Sequence, residues 1–265
     1  MHERYNCKHQ RAIVTILLIA FLVSSTSTLQ IINQPANAFK PNTHMLTGNI
    51  AIDSILAGPD AVAIDGRIYP VDPRIADAIR NFPSYYRGGV VGPDGFPDIY
   101  VGQSFIHPDT QCDNGRLFHD PTDPTNDQCN NKGSGHSFSH EWLRHIYDSA
   151  WDYYSIRNGD DEAKEVLAFA YGYLTHAAGD MWAHTLVNSY AQGIFPGVSE
   201  IEADPTKLAW ATRHIIVESY LGQHTPDTNL EISSPRDFIY RTLIDSSFVD
   251  SRGQTAHSLG RGGNL

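Results

Sequence analysis

The run Val166-Leu-Ala-Phe-Ala-Tyr-Gly-Tyr-Leu-Thr-His176-Ala-Ala-Gly-Asp180-Met-Trp-Ala-His184 decides how the rest of the chain is read. Up to Thr175 it is apolar nearly all round, which predicts a buried helix with no solvent-facing side. From His176 the chemistry changes while the helical pattern continues. His176, Asp180 and His184 recur at steps of four, and on an α-helix that step returns to nearly the same face. Two imidazoles and a carboxylate therefore form one ridge. A carboxylate buried between histidines needs compensation, and a metal ion supplies it. His214-Ile-Ile-Val-Glu218 repeats the step of four, thirty residues beyond His184. Taken alone, this second pair would also suit an exposed i,i+4 contact. Imidazole nitrogen with carboxylate oxygen is a ligand set for zinc, and a carboxylate between two histidines is able to bridge two ions.

Around this ridge the chain reads as mostly α. A helix is expected over Met45 to Leu56, with Thr43 as its N-cap. Ala61 to Val71 reads as a hairpin, two β-prone runs about Asp65-Gly66. Another helix is expected over Pro73 to Phe82. The segment Gly88 to Asp98 reads as a loop from its Gly and Pro content. Thr110 to Gly135 is a polar excursion, and Cys112 and Cys129 within it are expected to form a disulfide in an exported chain. Helices follow over about 140–157, 161–190, 205–221 and 235–245, with Asp160 and Asp161 suited to the start of the long one. One domain is expected over residues 39–250, with residues 251–265 as a disordered tail.

Residues 1–38 have the layout of a secretory signal. Arg4, Lys8 and Arg11 precede the apolar run Ala12 to Val23, and Ala36-Asn37-Ala38 offers a cleavage site. The mature chain would then start at Phe39, with an extracellular or periplasmic destination. The 265 residues carry a formal charge of −11 with no basic stripe, which argues against duplex nucleic acid as a partner. A phosphodiester substrate stays open, because bound zinc dominates its local field. A Gly-x-Ser-x-Gly elbow and a Cys-His signature are both missing, so no protein nucleophile is indicated.

The motifs Thr43-His44, Gly95-Phe-Pro-Asp98, Ala168 to His184 and His214-x3-Glu218 together resemble the zinc-dependent phospholipases C. The closest branch is the one shared with the amino-terminal domain of glycosylphosphatidylinositol-specific phospholipase D. More distantly the chain resembles the zinc nucleases that cut single strands. The resemblance implies a single-domain helical bundle, with a small β-hairpin excursion, holding three zinc ions. It implies that the amino group and carbonyl of Phe39, with His44, hold one ion; the family usually has Trp at that first place. Asp98 would ligate and assist as base. His176 and Asp180 would complete the paired ions, with Asp180 bridging, and His184, His214 and Glu218 would hold the third. A further histidine is required, either His107 or His140, and His107 is preferred for following Asp98 closely in an apolar context.

The activity so implied is phospholipase C, with a zinc-bridging hydroxide attacking phosphorus and a monomer working on phospholipid at a membrane surface. A single-strand nuclease and a non-catalytic zinc-stabilised module are the alternatives. Tyr85, Tyr86, Phe96, Tyr100, Phe105 and Trp182 are candidates for contacting a headgroup, or else core aromatics.

Overall fold

The computed structural model describes residues 41–95, 139–193, 201, 204–249 and 255–257. In chain order these give helix α1 (Pro41–Ala57), strands β1 (Ala61–Ile64) and β2 (Arg67–Pro70), then α2 (Pro73–Asn81), α3 (Pro83–Val90) and the single turn α4 (Gly92–Gly95). After them come α5 (Ser139–Ile156), α6 (Asp161–Ala191), a 3₁₀ turn (Pro205–Lys207) and α7 (Leu208–His224). The described chain closes with α8 (Arg236–Phe238), a π-helical stretch (Ile239–Ile244), and strands β3 (Ser247–Val249) and β4 (Thr255–His257). The fold is mostly α, as the sequence predicts. No helix among the described residues is long and apolar enough to cross a membrane.

α6 is the spine. Its 31 residues run about 46 Å, and α2, α3, α5 and α7 all pack on it. Asp160 caps its start, accepting a hydrogen bond from the Ala163 amide at 2.9 Å, and Asp161 and Glu162 add negative charge to the first turn. The run Val166 to Ala170 is wholly buried, so this half of α6 is a core helix. Its neighbours show ordinary one-sided stripes: Met45, Gly48, Ile52 and Ile55 on α1, and Ala76 and Ile79 on α2, are the inward positions. At the far end Gln192 takes the left-handed conformation (φ 61°) and its amide caps the Asn188 carbonyl.

The segment Gly88 to Asp98 is expected to be a loop, yet its described part, 88–95, is largely helical, and packing explains the difference. Gly88 and Gly89 lie in α3 because this helix is approached backbone to backbone, at Gly88 by the Ser233 carbonyl and at Gly89 by α6. A β-carbon on Gly89 would sit 1.9 Å from the Phe169 carbonyl oxygen. One on Gly172 of α6 would sit 1.9 Å from the Tyr86 carbonyl oxygen. Glycine here is required by close approach rather than by a turn. α1 joins the same stack, since a β-carbon on Gly48 would lie 2.9 Å from Val90. The Tyr86 hydroxyl ties the three helices, bonding to the Gly48 carbonyl at 3.3 Å and to Thr175 Oγ1 at 3.1 Å.

Two further expectations shift. α1 begins at Pro41, a residue suited to a first turn, so Thr43 lies inside the helix. Its hydroxyl bonds Thr225 Oγ1 at 2.7 Å rather than capping. The hairpin of β1 and β2 forms as read, pairing Ile64 with Arg67 across Asp65-Gly66. In the tail, β4 pairs antiparallel with β3, Phe248 opposite Ala256, so residues 255–257 are ordered by a strand ladder that their sequence pattern does not announce. The signal segment, the Cys112–Cys129 pair, Phe96, Tyr100 and Phe105 lie outside the described residues.

Replacing Gly172 by Ala tests the helix crossing. Ala is the better helix former by about 1 kcal/mol, so an open site would gain stability. Here the methyl group meets backbone, and a net loss of about 1–3 kcal/mol is expected, read by urea unfolding of the metal-free protein. A stabilised variant would contradict the packing.

Candidate metal centre

The glycine stack aims the ligand-type side chains. His44 lies one helical turn before Gly48 on α1, and His176 one turn after Gly172 on α6. Their rings stack with centroids 3.8 Å apart and planes 18° from parallel. Asp180, a turn further along α6, faces both: His44 Nε2 is 3.3 Å from its Oδ1 and His176 Nε2 is 3.1 Å from its Oδ2. His184 continues the ridge, with Nε2 4.0 Å from Asp180 Oδ1 and 3.3 Å from Glu218 Oε1. α7 supplies the rest, His214 Nε2 lying 2.8 Å from Glu218 Oε1. The result is one continuous chain of four imidazoles and two carboxylates, every one of the six buried. Within it His44, His176 and Asp180 form one trio, and His184, His214 and Glu218 another, each with three ligand atoms within 4.8 Å of one another.

Whether this is an internal ion-pair network or a cation site turns on one hydrogen bond. His176 Nδ1 is 2.7 Å from the Val90 carbonyl oxygen, one of the last carbonyls of α3, which lack partners within the helix. A carbonyl carries no proton, so Nδ1 must be the donor. In the neutral ring Nε2 then presents a lone pair toward Asp180 Oδ2. Two lone pairs 3.1 Å apart in a dry site require a proton or a cation between them. Protonating His176 and its stacked neighbour His44 would place two positive rings face to face. A metal ion answers both oxygens of Asp180 without that repulsion. Ligands held about 2.0–2.1 Å from a tetrahedral zinc lie about 3.3 Å from one another, and the 3.3 and 3.1 Å spacings of Asp180 to His44 and His176 match. The residues present therefore fit zinc.

Electrostatics point the same way. Burial alone would raise the Asp180 carboxyl, but the surrounding imidazoles of His176, His44 and His184 win and hold it well below the usual carboxylate range. Glu218 is likewise lowered against its burial by His184 and His214. His184 is raised: burial works against its charged form, and Glu218 and Asp180 outweigh it. The pocket is thus built to keep two carboxylates ionised and to attract positive charge.

Of the residues singled out in the sequence, His44, His176, Asp180, His184, His214 and Glu218 converge. Phe39, Asp98 and His107 lie outside the described residues. His140 falls in the first turn of α5, and its side chain is not among those described. Tyr86 is a core residue, its phenol pushed up to about 12 by burial, which removes it from substrate contact. Trp182 is exposed, on the side of α6 turned away from the ridge. The Val90 carbonyl is a participant that no side-chain motif could announce.

Comparison with protein families matches residues 43–261 to the family described as zinc dependent phospholipase C. No curated protein and no solved structure matches the chain.

The metal-free protein should show a signed pH dependence. His184, raised above 6.5, contributes stability that is complete below that value and lost as pH rises through its folded value. Asp180 and Glu218, lowered from 3.8 and 4.5, contribute stability present above those values and lost in stronger acid. Melting of chelator-treated protein should therefore be highest between about pH 4.5 and 6.5 and fall toward pH 8. Zinc added at pH 8 should restore it, since neutral imidazoles bind metal. A flat profile with no zinc response would contradict the site.

Proposed function

This chain belongs to the zinc dependent phospholipase C family, and on that premise we propose that it is an exported phospholipase C. It hydrolyses the phosphodiester of a glycerophospholipid at a membrane surface, as a monomer, and releases the phosphorylated headgroup. The observation that carries the reading is the position of Asp180, buried with three imidazole Nε2 atoms from two helices converging on its carboxylate. A carboxylate so placed is suited to serve two ions at once. Each described trio offers three ligand atoms, one short of the four that close a structural zinc site. This favours a reactive centre over a purely structural one.

Zinc, when bound, lowers the pKa of water toward 7 and neutralises charge developing at phosphorus. The chain does the rest. His44, His176 and Asp180 hold one end of the site, and His184, His214 and Glu218 hold the other. The Val90 carbonyl fixes the His176 ring so that Nε2 faces the centre. The low-lying carboxyls of Asp180 and Glu218 stay ionised through the working range. The amino group and carbonyl of Phe39, with Asp98 and His107, complete a set of three ions, Asp98 assisting as base. Export rests on the sequence of residues 1–38, with Phe39 freed at the new terminus.

Phosphorus NMR of products from mixed phospholipids should show chelator-sensitive release of phosphorylated headgroups. Phosphatidic acid would indicate cleavage on the other side of phosphorus, and turnover only of single-stranded nucleic acid would replace the lipid reading. Asp180→Asn and His176→Ala should each lose at least about 100-fold in turnover, more than is typical for outer-shell partners. Normal turnover by either would sink the assignment. A form with extra residues before Phe39 should carry one zinc fewer by elemental analysis, because its amino group becomes an amide; full occupancy would refute that role.

A further inference from the structure

The ridge on α6 does not end at His184. The same step of four reaches Asn188, in the last full turn of the helix. Both atoms of its side-chain amide, Nδ2 and Oδ1, are buried and have no hydrogen-bond partner among the described residues. His184 Nδ1, one turn away on the same face, is also buried and without a partner. Its other nitrogen is already committed, since Nε2 is the atom that faces Glu218 and Asp180. Two unsatisfied and complementary groups thus stand one turn apart on a dry face, where leaving both unmade is costly.

We propose that Asn188 is the positioning residue of His184, its Oδ1 accepting the Nδ1–H proton when a cation is held at Nε2. The inference rests on the metal-centre reading above. It follows the precedent within this molecule: His176 presents Nε2 to the centre and gives its Nδ1–H to the Val90 carbonyl. Imidazoles that hold metals almost always anchor the second nitrogen in this way, which fixes both tautomer and ring orientation. Among the described residues no carbonyl bonds His184 Nδ1, and the Asn188 amide takes that place. The terminal torsion of an asparagine is broad, so a modest rotation turns the carbonyl oxygen to the ring. An amide oxygen is a poorer zinc donor than imidazole or carboxylate, which suits Asn188 to the supporting role rather than to the ion itself.

The test is made on the full mature protein with nitrogen-15-labelled histidine, alone and loaded with zinc. In the native zinc form, His184 should show an Nδ1–H proton protected from exchange. Asn188→Leu should lose that proton and weaken zinc binding at one site by about 10- to 100-fold. Asn188→Asp, which keeps an acceptor, should retain both. Asn188→Ala removes the amide without added bulk and carries the same expectation as Leu, so that a folding defect in one variant does not decide the matter. Unchanged zinc affinity and a surviving protected proton in Leu or Ala would overturn the role. A native protein that binds no zinc would instead overturn the metal centre itself, and this inference with it.

Discussion

The structure depends on the contact of α3 and α6 at Gly89 and Gly172, where neither helix has room for a single methyl group. At ordinary helix separations of about 8–10 Å the last carbonyls of α3 would face side chains. Drawn together, they reach α6 itself, and the Val90 carbonyl meets the His176 ring. α1 follows through Gly48, which admits Val90, and so brings His44 over His176. A packing constraint two turns before Asp180 thus sets the geometry of the His44, His176 and Asp180 end of the centre.

What the stack delivers is a local conflict. Two carboxylates and four imidazoles lie among apolar residues, where charges are costly unless matched. The fold meets the conflict only in part, by hydrogen bonds and by raising the affinity of His184 for a proton. A divalent ion meets it better, because it satisfies lone pairs that now face one another. Metal binding is then linked to folding, and the same groups that weaken the metal-free protein in mild alkali hold the ion most strongly there. Function and instability share one origin.

Much of this was legible in the chain. The step of four from His176 to His184 and from His214 to Glu218 gave the two ridges, and the apolar run before them placed the first in the core. Asp160 marked the start of α6 and Asp65-Gly66 the hairpin. Gly88 and Gly89 misled, because glycine signals a turn locally while its use here is a long-range contact, with the Ser233 backbone at Gly88 and with α6 at Gly89. The strand at 255–257 was hidden for a related reason: its order comes from pairing with β3 and not from its own pattern. The Val90 carbonyl has no side-chain signal at all. Asn188 had one, the continued step of four, but an amide is not read as a metal-site residue until its burial is known.

The most direct measurement is anomalous X-ray scattering at the zinc edge from crystals grown with zinc. One peak is expected between His44 Nε2, His176 Nε2 and Asp180, and another between His184, His214 and Glu218, each about 2.0–2.2 Å from its ligand atoms. Crystals that show zinc only at the surface, with both buried trios free of anomalous signal, would contradict the metal centre.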